Sequence, residues 1–170
     1  MMNITISPAQ PEHFAALRAI ELSAFETLRE AGAVSGAPSA TSLDGLGDYA
    51  REGVLLAAFS PQAIPVGFAA GQYEDGWLHI AEIDVHPEWQ RQGIGKRLMQ
   101  ALLLAGRQRG VTGATLTTDR MAAFNARFYT SLGFDFAEGD STPAHLLRHI
   151  ANEVAAGFDP ARRVAMLMKF

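Results

Sequence analysis

The chain has 170 residues, 48% of them hydrophobic, and its 14 Lys+Arg against 18 Asp+Glu leave a net charge of −4. A domain of this length buries roughly 70% of the surface its unfolded chain exposes, so neither disulfides nor a structural metal are needed for stability. With no cysteine, a disulfide framework, a thiolate zinc site, an iron–sulfur cluster and a covalent cysteine intermediate are excluded, and the mild acidity argues against nucleic acid as a partner, because duplex binding relies on a dominating basic surface.

The opening MMNITISPAQ lacks a charged n-region and an apolar h-region, and the longest uninterrupted apolar run is Val54 to Phe59. A membrane span needs about 20 apolar residues and a signal h-region about 7–15, so the sequence predicts a cytoplasmic protein with no membrane partner. Asn3–Ile6 reads as a short strand closed by Ser7-Pro8. From Pro11 to about Ala31 the apolar residues Phe14, Leu17, Ile20 (or Leu22), Phe25 and Leu28 recur at helical spacing. Gly32 to Gly47 is loop-rich, and Leu43–Arg51 reads as a short helix before Gly53. Val54–Phe59, Val66–Tyr73 and Trp77–Val85, punctuated by Ser60-Pro61, Pro65, Gly76 and His86-Pro87, read as an antiparallel meander. A helix from about Gly95 to Arg109 carries Ile94, Leu98, Leu102 and Ala105 on one stripe, has cations in its last turn and stops at Gly110. Ala114–Thr118 reads as a strand, Ala122–Leu132 as a helix stopped by Gly133, Ala144–Ala156 as a further helix, and Val164–Phe170 as a last strand whose pairing across subunits leaves a homodimer open. This order predicts an α/β fold: a single domain over residues 1–170, a mixed β-sheet flanked by helices on both faces.

From Trp89 to Thr118 the cations Arg91, Lys96, Arg97, Arg107 and Arg109 meet no acid. The first three fall in Gln90-Arg91-Gln92-Gly93-Ile94-Gly95-Lys96-Arg97, between a strand that stops at Pro87 and the amphipathic helix. Glycines let the backbone turn its N–H groups outward here, and at a helix N-terminus the unpaired amides and a macrodipole of about half a positive charge form an anion site. The stretch reads as a pyrophosphate or polyphosphate cradle. A P-loop would need glycine at 90 and Ser or Thr at 97, where Gln90 and Arg97 stand. A dinucleotide fingerprint would need a small residue at 98 and an acid about 20 residues later, where the chain has Leu98 and no acid before Asp119. Both tests fail.

What remains, Gln-x-x-Gly-x-Gly with a basic follow-on, resembles the coenzyme A loop of the GNAT superfamily of acyl-coenzyme A-dependent N-acetyltransferases. The resemblance runs from Glu82-Ile83-Asp84-Val85-His86-Pro87 through Gly93-Ile94-Gly95 to Asn125-Ala126-Arg127-Phe128-Tyr129 and Leu132-Gly133-Phe134. It implies acetyl-coenzyme A (acetyl-CoA) as co-substrate, no metal, and an amine as acceptor. The pyrophosphate would lie on the amides of Arg91, Gln92, Gly93, Ile94, Gly95 and Lys96, and the pantetheine arm would pair with the backbone at Ile83 and Val85 like an added strand. Asn125 and Phe128 would contact the cofactor, and Tyr129 would sit near the thioester sulfur. The implied reaction is direct: the amine attacks the thioester carbonyl, backbone amides stabilise the oxyanion, and Tyr129 protonates the departing thiolate.

The residues support this scheme on their own terms. Asn125 and Tyr129 are spaced i, i+4 and share a helix face, and a phenol with an ordinary pKa near 10 holds its proton at neutral pH. Glu82 follows Leu78 and Ile80 on one face of an alternating strand, where partial desolvation raises its pKa toward that of a useful base. A bulge would change its face, and a structural carboxylate is an equal reading. Phe124, Phe128 and Leu132 make a core role the competing reading for Tyr129. His79 is an alternative proton relay, and His145 with His149 has metal-ligand spacing but no evident third ligand. The acceptor site is expected from the N-terminal helix, the Gly32–Gly47 loop and the Ala137–Arg163 segment. Glu21, Glu26, Glu30, Asp44, Asp48 and Glu52, against Arg29 and Arg51, would attract a cationic acceptor, although a solvated helix face explains the same charges. Two other functions stay open: a non-catalytic acyl-CoA-binding or sensing module, and a small-molecule binding domain unrelated to coenzyme A.

Overall fold

A computed structural model describes residues 2–32, 34, 36–122 and 125–170. Its strands are β1 (Thr5–Pro8), β2 (Val54–Phe59), β3 (Pro65–Glu74), β4 (Trp77–Val85), β5 (Gly113–Asp119), β6 (Asp135–Phe136) and β7 (Arg163–Lys169). Its helices are α1 (Phe14–Glu30), α2 (Leu43–Glu52), α3 (Ile94–Arg109), α4 (Asn125–Ser131) and α5 (Ala144–Ala155). The strands form one seven-stranded sheet in the order β1-β2-β3-β4-β5-β7-β6, in which β4 and β5 run parallel and the other neighbours antiparallel.

Helices cover both faces, as the alternation of strand and helix patterns predicts. Leu98, Met99 and Leu102 of α3 pack with Leu78, Ile80, Leu116, Phe134 and Met166 on one face. Phe14, Leu17 and Ile20 of α1 and Leu46 of α2 pack with Leu55, Phe59 and Phe68 on the other. Each fully buried side chain of this size contributes about 1.5–3 kcal/mol, so the two aliphatic stripes dominate the stability of the sandwich. Leu22, the alternative to Ile20 in the α1 stripe, is exposed.

Three expectations need correction. The first strand begins at Thr5 and takes in Pro8, which an edge strand tolerates because its outer N–H groups need no ladder partner. The two-residue β6 was not foreseen, since it is too short to show an alternation. It pairs with β7 at Leu167 and Met166, so β7 has a neighbour within the chain on each side. Of the helix expected over Ala122–Leu132, Asn125–Ser131 is helical, and Phe124 lies outside the described residues.

The feature that shapes the site is a bulge in β4. Gly71 stands opposite Ile80 and Ala70 opposite Glu82, so Ala81 has no partner on β3 and the alternation of side chains flips there. Leu78 and Ile80 face α3, and beyond the bulge it is Ile83 and Val85 that pack on that side. Glu82 and Asp84 lie opposite Ala70 and Phe68, on the α1–α2 face. Glu82 therefore does not share the face of Leu78 and Ile80.

Past its first residues β4 also leaves its parallel neighbour. β4 and β5 pair only at Leu78 with Ala114 and His79 with Thr115. From Ile80 to Val85 the outer edge of β4 is open, while β5 continues along β7 to Asp119.

Candidate active site

The opening between β4 and β5 leads into a cleft of about 880 Å³ that runs from the start of α3 to α1 and α5. At one end lies the glycine turn. Gly93 caps α3 with φ +80° and Arg91 holds φ +65°, a left-handed conformation that is uncommon for a side-chain-bearing residue and marks a constrained turn. The first bond into the helix is Arg97 N–H to the Gly93 carbonyl at 3.1 Å, and among the described residues none of the amides from Arg91 to Lys96 donates to a protein group. An uncapped helix start with outward amides binds anions by partial charge and direct hydrogen bonds. Gln90 Nε2 donates to the Val85 carbonyl at 2.9 Å and ties this turn to the open edge of β4. That carbonyl already accepts one bond.

The basic stretch around the turn divides. Arg91 and Lys96 line the cleft. Arg97 does not serve the anion site: its guanidinium donates to the Ile4 carbonyl at 2.7 Å and anchors the chain ahead of β1. Arg107 and Arg109 lie over the rings of Phe170 and Tyr73, at the far end of α3.

Helix α4 brings Asn125, Phe128 and Tyr129 to the same cleft. A Cβ on Gly95 would meet Phe128 Cζ and Val85 Cγ2, each at 3.9 Å, so α4 rests against the glycine turn. The Tyr129 ring packs edge-on to Phe128 and Phe134, with centroids 5.2 and 6.1 Å away. Among the described residues its hydroxyl makes no hydrogen bond. Burial raises its pKa, the Asp84 and Glu82 charges raise it further, and Arg163 opposes them. The phenol stays protonated at any physiological pH.

Across the cleft, Glu82 and Asp84 stand two residues apart on one face of β4. Both keep some surface open to the cleft yet lie deep among protein atoms. Burial drives the Glu82 pKa well above the carboxylate range, with Asp84, Glu21 and Glu153 adding to it. Burial likewise pushes Asp84 up, to about 7, assisted by Glu21 and opposed by a hydrogen bond with Glu82. Two such carboxyls titrate as a pair, the charge on one making ionisation of the other more costly. Asp84 was missed as a site residue although it belongs to the quoted Glu82-Ile83-Asp84 run. The signal was available, since residues i and i+2 of a strand share a face wherever a bulge places them.

The cleft is also lined by α1, the loop after it and the stretch through Phe158 and Arg163, the segments from which the sequence expects an acceptor site. Of the six N-terminal acids only Glu21 lines the cleft. Thr41 donates to its carboxylate from N and Oγ1 at 2.8 and 3.1 Å, while burial still leaves its pKa raised. Glu26 pairs with Arg29 and Asp48 with Arg51 on the surface, as a solvated helix face predicts. Arg163 and Glu153, also missed, form a two-bond pair at 3.0 and 3.1 Å that Thr117 joins. They lie ten residues apart, on α5 and β7, so no local pattern announces them.

The histidines form a separate cluster beneath α5. His79 Nδ1 and His145 Nε2 both bond Thr115 Oγ1, at 3.0 and 2.8 Å. His149 stacks on His79 at 3.8 Å and 4° and bonds Glu74 through Nε2 at 2.6 Å. Glu74, His79 and His149 bring ligand atoms within 4.8 Å of one another, a grouping that leaves out His145 and so is not the His145–His149 pair expected from the spacing. Parallel rings, however, keep their in-plane lone pairs in separate planes, a poor geometry for one shared ion. Burial and the neighbouring His149 push the His79 pKa down to about 3. A neutral ring locked to Thr115 outside the cleft is not the relay envisaged for it.

Residues 51–135 match the model of the acetyltransferase (GNAT) domain family. Among solved structures, the chain superposes on a PaiA N-acetyltransferase from Thermoplasma acidophilum in complex with coenzyme A, with TM-score 0.75 and 17% identity over 99% of this chain and 100% of that one. Ard1 from Thermoplasma volcanium gives TM-score 0.70 and 18% identity over 98% and 97%. An N-acetylglutamate synthase from Neisseria gonorrhoeae, complexed with coenzyme A and N-acetyl-glutamate, gives 0.72 and 18%, covering 99% of this chain but 35% of that one.

Proposed function

Because the chain belongs to the acetyltransferase (GNAT) family, we propose that it moves an acetyl group from acetyl-CoA directly to the amine of a small-molecule acceptor. The observation that carries this reading is the run of unbonded amides from Arg91 to Lys96 beside the open edge of β4. The residues fit the co-substrate: the amides, with Arg91 and Lys96, hold the diphosphate, the backbone of Ile83 and Val85 adds the pantetheine arm as a strand, and Asn125 and Phe128 hold it from α4. Acetyl-CoA supplies an activated acyl thioester. Glu82, sharing its proton with Asp84, takes the proton of the incoming ammonium, and Tyr129 gives its phenolic proton to the leaving sulfur. No helix among the described residues is long and apolar enough to cross a membrane, which agrees with a cytoplasmic enzyme.

The test is calorimetric titration with acetyl-CoA, followed by free-thiol release over a panel of amines. Saturable binding and amine-dependent thiol release are expected, with turnover in Tyr129→Phe falling about 10²-fold while cofactor affinity holds. Absence of binding overturns the assignment, and binding without turnover on any amine leaves a sensor in place of an enzyme.

A further inference from the structure

Of the charges that line the cleft, Arg91 and Lys96 belong to the glycine turn, whereas Glu21 comes from α1 and Glu82 and Asp84 from β4. Among the described residues none of these three carboxylates takes part in an ion pair. Apart from the neighbouring Glu82 carboxyl, Asp84 Oδ2 is buried with no hydrogen-bond partner, an acceptor beside the cleft that a ligand donor would satisfy. Glu21 is preorganised, because the bonds from Thr41 hold its carboxylate in place.

Away from the glycine turn the one cation among the described residues lining the cleft, Arg163, is already committed to Glu153 and Thr117. Among the described residues lining this part of the cleft a substrate carboxylate would find no unpaired guanidinium, and it would lie beside acids of its own sign, which disfavours it in a partly desolvated site. An ammonium meets the opposite situation.

We propose that the acceptor is an amine with a second cationic group and no carboxylate, its distal charge held by Glu21 while the reacting amine faces Glu82 and Asp84. This rests on the acetyltransferase reading and narrows it: α-amino acids are excluded, and aliphatic diamines and polyamines are the matching class.

The test compares 1,4-diaminobutane and longer diamines with butylamine and 4-aminobutanoate as acceptors for the full chain. The diamine should exceed butylamine in kcat/KM at least tenfold and butylamine should exceed 4-aminobutanoate, with the best chain length reporting the spacing from Glu21 to the base. In Glu21→Gln the diamine-to-butylamine ratio should collapse toward one through KM. Equal use of diamine and butylamine, preference for the amino acid, or an unchanged ratio in Glu21→Gln overturns the proposal. If Glu21→Gln does not fold, the wild-type series decides alone. Calorimetry of the same amines on coenzyme A-loaded protein gives the answer without turnover: diamine binding no tighter than butylamine binding is equally fatal. Failure to bind acetyl-CoA would instead overturn the acetyltransferase reading itself.

Discussion

Two carboxyl groups on one strand face, partly withdrawn from water, ionise one after the other, and the first negative charge makes the second costly. Burial is the largest cause for both; the next is the Asp84 charge for Glu82 and the Glu21 charge for Asp84. With Asp84 at about 7, kcat/KM should rise with pH through the neutral region. Asp84→Asn removes the neighbouring charge and should move that limb to lower pH, and Glu82→Gln should flatten it and lower turnover about 10²-fold or more. An unchanged pH–rate profile in both variants would clear the pair. The same shifts act on stability. A carboxyl whose folded pKa lies above its unfolded value costs stability above the folded pKa, and the cost vanishes once pH falls below the ordinary carboxylate range. Glu82→Gln should therefore raise Tm at pH 8, by about 2–4 °C per kcal/mol relieved, and leave it unchanged at pH 4.

At the scale of elements, the glycine turn and the bulge divide the work. The turn is local: Gly93 at φ +80° and the uncapped start of α3 follow from residues next to one another. A β-branched residue in that conformation is strained by about 1–3 kcal/mol, and the strain falls on the loop that presents the amides. Gly93→Val should raise the Kd for acetyl-CoA at least tenfold with the fold intact by circular dichroism. Undiminished affinity would remove the phosphate assignment. The bulge at Ala81 is not local. Leu78, Ile80 and Glu82 alternate faultlessly along the sequence, and only the pairing of β4 with β3 shows that one residue is skipped. Had β4 been regular, Glu82 would point into the α3 core, away from α1 and α5.

For the whole molecule, the histidine cluster joins β3, β4 and β5 to α5, the helix that carries Glu153 to the cleft. Burial and then His149 depress the folded pKa of His79 to about 3, and burial lowers that of His145. Glu74, Asp75 and Arg148 are the other charged groups around the cluster. A histidine whose folded pKa is depressed gives full stability above its unfolded value near 6.5 and loses it as pH falls toward the folded value. Tm should drop between pH 7 and pH 4, and His79→Gln, which can keep a bond to Thr115, should make that drop shallower. An identical slope would place the acid sensitivity elsewhere. Read as a string, the chain already carries the order of its elements, the two aliphatic stripes, the anion turn and the shared face of Asn125 and Tyr129, because each depends on neighbours within about one helical turn or strand alternation. The face of Glu82, the partnership of Arg163 with Glu153, the isolation of Glu21 among its acidic neighbours and the stacking of His149 on His79 depend on register and on closure between distant segments. Periodicity says which side of an element is apolar, but which side chains meet across the cleft follows only from how the strands pair and where one of them slips.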